Sequence, residues 1–224
     1  MNGPTCSADG IVLDGNDDYL DIDDWEWGGA VAFEVYVKYD SFQTSSRVFD
    51  FGSGASSDNV LLCNSGTTST IWWEVRQGST PKYLDASNFD SATWTHVVVS
   101  IKDTTLKVYR NGVLGGTKTD GWEPNVLTRS NHIIGATAGG TGYYLDGTVG
   151  YLKMWHGVEV RRKLPDLPPS SPYQTSLTYS PSFFFPPNIT TRSLPPLTLL
   201  LSTQPKMRAS KPRTTRAPLA PLPS

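Results

Sequence analysis

The sequence predicts an all-β fold, a sandwich of two antiparallel sheets in the jelly-roll arrangement. Short runs of β-branched and aromatic residues recur between residues 10 and 160, separated by Gly, Asp, Asn and Ser. No window of 11 or more residues there shows the 3.6-residue apolar repeat of a helix. Strands at such spacing are typical of two packed sheets. The predicted strands span residues 11–14, 19–22, 31–39, 47–51, 60–63, 71–77, 95–101, 106–110, 132–135 and 148–155.

Residues 94–113, WTHVVVSIKDTTLKVYRNGV, carry the clearest local signal. Alternating β-branched residues place successive side chains on opposite faces of a strand. A second such run follows after a four-residue turn and ends at Asn111 and Gly112. Because these two residue types accept positive φ, they predict a type I′ hairpin. The segment therefore predicts a meander of antiparallel strands.

Composition divides the chain into three parts. Of 17 prolines, 14 lie from residue 165 onward, and all seven tryptophans precede that point. We predict an N-terminal segment at 1–9, a domain at 10–160 and a disordered Pro-rich C-terminal tail at 161–224. Residues 1–163 hold 20 acidic and 13 basic side chains (net −7), and residues 164–224 hold one and six (net +5). An acidic domain is a poor match for nucleic acid.

No segment of the sequence predicts a membrane span, since the longest Leu-rich run, at 197–201, is far short of ~20 apolar residues. The first 15 residues lack the charged start and apolar stretch of a signal peptide. This predicts either a protein retained in the cell or a chain that begins downstream of its true start. The two cysteines, Cys6 and Cys63, are compatible with one disulfide or with two independent thiols.

The motifs, in order, resemble a known family. They read GIVLDGNDDYLDI, AVAFEVYVK, VFDFG, WTHVVVSIKDTTLKVYRNG, HIIG and YYLDGTVGYLKMW. This order is similar to the laminin-G-like jelly roll of the concanavalin A-like lectin and glucanase superfamily. In that arrangement we expect Trp94 to anchor the sandwich, and Asp146 with Gly147 to form a tight turn before the last strand.

Catalysis is not predicted. The resemblance implies that a retaining glucanase of this superfamily would carry a Glu-x-Asp-x-x-Glu strand, and this chain has none. Its three histidines, His96, His132 and His156, occur singly on predicted strands, where structural roles are more common. The alternatives are a remnant or divergent glycoside hydrolase and a purely structural module of a longer surface protein.

Calcium is the predicted optional ion. The stretch VFDFGSGASSDNVLLC is similar to the pentraxin branch of the superfamily, and this resemblance implies Asp58 and Asn59 as ligands. The second acidic cluster of pentraxins is replaced here by residues 136–140, ATAGG. If the first and last strands are neighbours, a different set of calcium ligands would form, namely Asp14, Asn16, Asp17 and Asp146. The alternative for all these residues is that they make the side-chain to backbone hydrogen bonds that are common in turns.

Aromatic residues suggest where a sugar would bind. Trp27 and Trp122 also lie beside loops, but the predicted ligand-binding residues are Trp25, Trp72, Trp73, Tyr143 and Tyr144. Trp72 and Trp73 must point to opposite faces of their strand, so only one can lie in the core. The alternative for Trp25 and Trp122 is that they close the ends of the sandwich.

Together these observations predict a non-catalytic binding or adhesion module that recognises a carbohydrate or an extracellular protein. The resemblance implies a secreted or cell-surface location. A possible glycosylation sequon at residues 188–190, Asn-Ile-Thr, agrees with that location, whereas the missing signal peptide argues against it.

Overall fold

A computed structural model describes residues 3–54 and 56–157, which form strands and turns and no helix. The strands are β1 Thr5–Ser7, β2 Gly10–Asp14, β3 Leu20–Ile22, β4 Trp25–Trp27, β5 Val31–Ser41, β6 Arg47–Gly52, β7 Val60–Asn64, β8 Thr70–Gln77, β9 Thr80–Asn88, β10 Trp94–Lys102, β11 Thr105–Arg110, β12 Val113–Lys118, β13 Leu127–Arg129, β14 Asn131–Ile134 and β15 Asp146–His156.

Two large antiparallel sheets form the sandwich. The seven-stranded sheet has the order β1-β2-β15-β5-β10-β11-β12, and the six-stranded sheet has the order β3-β14-β6-β7-β8-β9. Strands β4 and β13 form a separate pair at one end. The predicted two-sheet antiparallel sandwich is therefore confirmed.

The core lies between the inner faces of the two sheets. In β5, Val31, Phe33, Val35 and Val37 point inward at alternate positions and are fully buried. The rings of Phe33 and Phe49, from opposite sheets, lie 4.6 Å apart between centroids. The period-two pattern of the sequence thus generates the core directly, because alternate side chains share one face of a strand.

The hairpin between β11 and β12 has the predicted type I′ character. Asn111 has φ 49° and Gly112 has φ 77°. Arg110 pairs with Val113 across the turn. Positive φ at both turn residues matches the right-handed twist of the two strands, so this prediction is confirmed.

The expected turn at Asp146 and Gly147 is wrong, because both residues lie inside β15. Asp146 pairs with Asp14 of β2 on one side and with Ser41 of β5 on the other. A Cβ on Gly147 would lie 2.2 Å from the carbonyl oxygen of Lys38. Glycine is needed here because the two backbones approach closely, not because the chain turns.

Trp94 begins β10 as expected but does not anchor the core. Because Val97 and Val99 point inward, the even-numbered residue Trp94 points to the outer face of the seven-stranded sheet. There its ring stacks on Tyr36 at 4.6 Å between centroids, with 10° between the ring planes. Strand parity therefore overrides the preference of a large ring for burial.

The start of the chain contributes an edge strand, since β1 pairs with β2 through Cys6 and Ile11. Both cysteines are free; Cys6 is exposed and Cys63 is buried. Of the two alternatives, the structure has independent thiols. The predicted tail lies outside the described residues, and no described helix is long and apolar enough to cross a membrane.

Candidate ligand-binding surface

Two adjacent tryptophans of β8 take opposite roles. Trp73 is 0% exposed, and its indole N–H donates to the Ser100 carbonyl at 3.2 Å. Trp72 points to the outer face of the six-stranded sheet and is half-buried. The prediction that one of the pair is core is confirmed. The prediction of Trp73 as a ligand-binding residue is wrong, because strand alternation places its whole side chain inside the sandwich.

Trp72 belongs to an ordered group on that outer face. Its ring stacks on Tyr83 of β9 at 3.9 Å, with 13° between the planes. The indole N–H donates to Glu74 at 2.9 Å, and the other oxygen of Glu74 accepts from Arg76 Nε at 2.5 Å. Residues 72, 74 and 76 share a face because they alternate along β8. The Trp72 ring is thus held in place before any ligand arrives.

The loop between β14 and β15 brings Tyr143 to the same face. The Arg47 backbone N–H donates to the Tyr143 carbonyl at 2.8 Å, and the Arg47 guanidinium lies 4.9 Å from the centre of the Tyr143 ring. Arg47 pairs with Cys63 of β7, and Cys63 pairs with Trp72 of β8. Tyr143 is 50% exposed. We call this group the aromatic surface, and it comprises Arg47, Trp72, Glu74, Arg76, Tyr83 and Tyr143.

A buried polar group attaches the loop to the sheet. Asp50 accepts hydrogen bonds from the Asn59 side-chain amide at 2.7 Å and from the Thr137 hydroxyl at 3.3 Å. Arg47 Nε lies 3.5 Å from the same carboxylate. Burial raises the pKa of Asp50 and raises the pKa of the Cys63 thiol to about 12. Asp50, Asn59 and Thr137 are buried, so they fix the position of Arg47 and of the loop while being hidden from a ligand themselves.

The two residues that the pentraxin resemblance implied as calcium ligands have different partners. Asn59 is fully buried, and its amide N–H groups donate to Asp50 and to the Gly54 carbonyl. Asp58 accepts from the Gly78 N–H at 3.0 Å and from the Asn125 amide at 2.7 Å. Neither belongs to an acidic cluster among the described residues. A shared ion at this pair stays a prediction.

Three carboxylates meet at the end of β2. Ligand oxygens of Asp14, Asp17 and Asp18 all lie within 4.8 Å of one another. Asp146 lies opposite Asp14, because β2 and β15 are neighbours as expected. Asn16 contributes turn bonds, since its N–H donates to Asp14 at 2.9 Å. Carboxylates at this separation suit a hard cation such as calcium.

Asp18 is the member of this cluster that sequence reasoning missed. Its side chain is buried, and its Oδ2 accepts from the Asp14 N–H at 3.2 Å. Burial, together with the charge of Asp14, raises the pKa of Asp18. A bound cation would offset both effects by neutralising the group. No periodic pattern marks a buried aspartate in a turn, so the sequence carried little signal for it.

The remaining predicted aromatic residues are built into the structure. Trp25 stacks on His132 at 3.6 Å between centroids and packs against the core. Trp122 also packs against the core. Both rings are therefore engaged in packing, which favours the alternative interpretation over a role in ligand binding. Tyr144 is half-buried, and its hydroxyl donates to the Gly140 carbonyl at 3.1 Å.

Arg47, Glu74, Arg76 and Tyr83 were not among the predicted site residues. A signal for Glu74 and Arg76 was present, because they follow Trp72 at steps of two along a strand. Tyr83 and Arg47 join the surface only through the pairing of β9 and β6 with their neighbours. Such cross-strand proximity is invisible in a single sequence.

Comparison with known families identifies the chain. Residues 14–159 match the concanavalin A-like lectin/glucanases superfamily, which is more than half of the sequence. The chain belongs to that superfamily, and the predicted resemblance is confirmed. No curated protein sequence matches it closely enough to add a nearer relative.

Solved structures share the fold at low identity. Domain 4 of the extracellular arabinanase AbnA from Geobacillus stearothermophilus, in complex with arabinotriose, has a TM-score of 0.53 and 18% identity, covering 69% of this chain and 74% of that one. The CBM40 module of Ruminococcus gnavus IT-sialidase, bound to α2,3 sialyllactose, has a TM-score of 0.51 and 15% identity, covering 66% of this chain and 91% of that one. A heptameric SAP-like pentraxin from Limulus polyphemus has a TM-score of 0.51 and 15% identity, covering 64% of this chain and 74% of that one. At these identities the likeness shows the fold.

Proposed function

We propose that this chain is a non-catalytic, secreted or cell-surface module that binds a carbohydrate at the aromatic surface. The observation that carries the proposal is the Trp72–Tyr83 stack beside Glu74 and Arg76. Aromatic faces bind the apolar face of a pyranose, and charged side chains at the edge bind its hydroxyls. Among the described residues, no second ring or cation lies over Trp72. The half-buried indole therefore keeps one face for a ligand.

The position of Tyr143 supports the same surface. Its ring is half exposed and stands on the loop that borders the sheet, two strands from Trp72. Two strand spacings correspond to ~10 Å, which is about the span of two sugar units. Two structural neighbours are described with arabinotriose and sialyllactose bound, which supports a carbohydrate as the ligand class.

The carboxylates of this face support binding over hydrolysis. Asp50 and Glu74 both face Leu61, one from each neighbouring strand, and are 1% and 3% exposed. Glycosidases place two carboxylates on either side of the scissile bond, where both must contact the substrate. Here Asp50 lies beneath a loop, and Glu74 is occupied by Trp72 and Arg76. Asp85, opposite Trp72 on β9, is the exposed carboxylate beside the Trp72 ring, so a substrate there would meet one such group and not a pair. Measuring reducing ends after incubation with a bound glycan tests this point; their release would favour the divergent hydrolase instead.

We propose further that calcium assists by ordering the turn at residues 14–19. Asp14, Asp17 and Asp18 are the residues that would hold it, with Asp58 and Asn59 as the less favoured pair. An ion that prefers the folded state raises its stability. We expect millimolar calcium to raise the melting temperature of the full chain, and Asp14→Asn with Asp17→Asn to abolish the rise. If the rise in melting temperature persists in this double variant but disappears in Asp58→Ala, the ion binds instead at Asp58 and Asn59.

A glycan array with the full chain tests the main proposal. We expect binding by the wild type, loss of at least about tenfold in affinity for Trp72→Ala and a smaller loss for Tyr143→Ala. Trp94→Ala, which removes a ring from the opposite sheet, is the matched control and should bind normally. No array signal for folded wild-type protein, or equal losses in all three variants, would refute carbohydrate binding at this surface.

A further inference from the structure

The charged side chains of the six-stranded sheet restrict the kind of carbohydrate that its outer face can bind. By strand parity and register, this face receives two basic and four acidic side chains from the described strands. These six residues are Arg47, Arg76, Asp21, Asp50, Glu74 and Asp85. A negatively charged ligand therefore meets more carboxylates than cations on this face.

Both arginines already have carboxylate partners. Arg47 Nε lies 3.5 Å from Asp50, and Arg76 Nε donates to Glu74 at 2.5 Å. Each guanidinium also donates to a backbone carbonyl oxygen, at 2.9 Å for Arg47 and 3.3 Å for Arg76. Arginine binds a carboxylate or a sulfate most tightly when both prongs of its guanidinium are free. An acidic sugar would have to compete for these cations with carboxylates that are 1% and 3% exposed.

Lys118, at the border of this face, is engaged as well. Its Nζ lies 5.0 Å from the centre of the Tyr83 ring and 3.6 Å from Asp120. Its charge also acts on Asp85: burial raises the pKa of that carboxyl, while a hydrogen bond from Ser65 and the charge of Lys118 oppose the rise. Lys118 is thus shared between two carboxylates of the chain itself.

Asp85 is the carboxylate that a ligand on Trp72 meets. It lies directly opposite Trp72 in the pairing of β8 with β9, and it is exposed. Side chains opposite each other in an antiparallel pair have Cβ atoms ~4.5–5.5 Å apart, which is within the reach of one sugar unit. Asp50 and Glu74 each have an arginine partner, whereas Asp85 has a hydroxyl and a shared lysine. Its charge is therefore the one that a ligand has to match.

We propose that the aromatic surface selects neutral glycans and that Asp85 determines this selectivity, an inference that rests on carbohydrate binding at Trp72. A carboxylate accepts hydrogen bonds and donates none, so it suits the hydroxyls of a neutral sugar, which are donors. It repels the carboxylate of an acidic sugar and the sulfate of a sulfated one. Because Arg47, Arg76 and Lys118 are already paired, they do not offset this repulsion.

Matched pairs of oligosaccharides test this selectivity with the full chain. The probes are the neutral oligosaccharides of the glycan array and their counterparts in which each primary alcohol is oxidised to a carboxylate. The measured quantity is the binding that Trp72→Ala abolishes. This excludes binding on the opposite sheet, where the rings of Trp94, Tyr36 and Tyr151 stack in a row that ends at Lys153. We expect at least about tenfold tighter binding of the neutral members at low salt, and a smaller ratio as salt rises.

Variants of Asp85 assign the selectivity to this residue. Asp85→Asn removes the charge and keeps an acceptor oxygen, so the ratio of affinities should fall to less than about threefold. Asp85→Lys should weaken binding of the neutral members and strengthen binding of the oxidised ones by at least about tenfold. The matched control is Asp40→Lys, which makes the same change in net charge on the outer side of the seven-stranded sheet, where Asp40 pairs with Lys38. It should leave the ratio within about twofold of the wild-type value.

Thermal melts confirm that each variant is folded, and Asp85→Asn serves alone if Asp85→Lys is not. Oxidised oligosaccharides that bind through Trp72 as tightly as the neutral ones would overturn the selectivity and leave the carbohydrate surface intact. Equal shifts of the ratio in Asp85→Lys and Asp40→Lys, or an unchanged ratio in Asp85→Asn, would overturn the role of Asp85. Absence of binding through Trp72 for both members of every pair would refute the carbohydrate surface itself, and the selectivity with it.

Discussion

The outer faces of the two sheets contain the same types of residue, but their aromatic rings are arranged differently. Each has stacked aromatic rings beside a carboxylate that receives hydrogen bonds from its neighbours, Glu74 on the six-stranded sheet and Glu34 on the seven-stranded sheet. The Trp72–Tyr83 stack leaves one indole face without a ring partner, whereas the row from Trp94 to Lys153 covers its inner rings on both sides. Each face thus has one tryptophan with a ring face that no other described ring covers, and the two faces differ in the tyrosines, since Tyr36 and Tyr151 are covered on both sides.

The largest expected effect distinguishes the inside of the sandwich from its outer faces. Trp73→Ala removes a fully buried ring and should lower the free energy of unfolding by ~3–5 kcal/mol. Trp72→Ala, one residue away on the outer face, should cost much less while weakening glycan binding. Denaturant unfolding measures both variants. Equal losses of stability would mean that the outer face contributes to the core more than its half-burial indicates.

Acid sensitivity should also come chiefly from inside the sandwich. Burial, with a smaller effect of the Arg129 charge, lowers the pKa of His132 to about 4. The unfolded chain takes up this proton near pH 6.5, so stability is lost as the pH falls from ~6.5 to 4, by up to ~3 kcal/mol.

His132→Gln tests this expectation, because glutamine keeps an acceptor for the Trp27 indole, which His132 now binds at 2.9 Å. The measurement is the free energy of unfolding at several pH values between 4 and 7. The variant should be less stable at pH 7 and should show a shallower dependence on pH. An unchanged slope would assign the acid sensitivity to the carboxylates.

A smaller effect is expected at Glu34 and Glu74, the two hydrogen-bonded carboxylates of the outer faces. Desolvation opposes ionisation of Glu34, but hydrogen bonds from His96 and Tyr151 and the charge of Lys153 outweigh it and lower its pKa. The stabilisation is present above the unfolded pKa and is lost as the pH falls through the folded value. Glu34→Gln should therefore lower the free energy of unfolding by ~2 kcal/mol at pH 7 and by less in acid.

Glu74→Gln is the matched substitution on the other sheet. It should weaken glycan binding, because Glu74 holds both the Trp72 indole and Arg76, while Glu34→Gln should leave that binding intact. Unfolding curves and glycan titration of both variants provide the comparison. Loss of glycan binding in Glu34→Gln would contradict the separation of the two surfaces.

The smallest expected effect concerns the space beneath the ring row. Gly150→Ala places a methyl group 3.3 Å from Trp94, Tyr36 and the Asp9 carbonyl oxygen, so the neighbours must move by a few tenths of an ångström. We expect a loss of ~1 kcal/mol and a changed near-ultraviolet circular dichroism signal. Gly3→Ala, where a Cβ would meet nothing within 4 Å, is the control. An unaltered signal in Gly150→Ala would show that the rings do not depend on this glycine.

Much of the fold was readable from local patterns, because strand alternation and turn chemistry act over a few residues. The inward valines of β5 and β10 and the positive φ of Asn111 and Gly112 are examples. Gly147 was misread because Asp-Gly is also a common turn pair, and the approach of Lys38 across the sheet is a non-local contact. Five strands were missed, namely β1, β4, β9, β12 and β13. Three of them have only three residues, and β9 and β12 contain few apolar residues, so neither length nor pattern marked them.

The site was predictable only in part. Trp72 and Tyr143 were recognised as aromatic residues with access to solvent, but the sequence could not show that they share one face. Asp14 and Asp17 were paired with Asp146 by assuming adjacent first and last strands, and β2 and β15 do lie together. Buried Asp18 and the cross-strand partners Arg47 and Tyr83 required the folded chain.

By itself, the sequence determined the strand-forming segments, the type I′ hairpin and the membership of the superfamily, since each depends on short-range preferences or on motif order. The tertiary structure alone decided which aromatic rings stack, which are buried and which carboxylates come together. Those outcomes depend on strand pairing and register between distant segments, and a change of one residue in register would exchange the two faces of a strand. Register therefore decides which side chains meet on the surface of a sheet, and the type of each residue taken alone does not reveal that register.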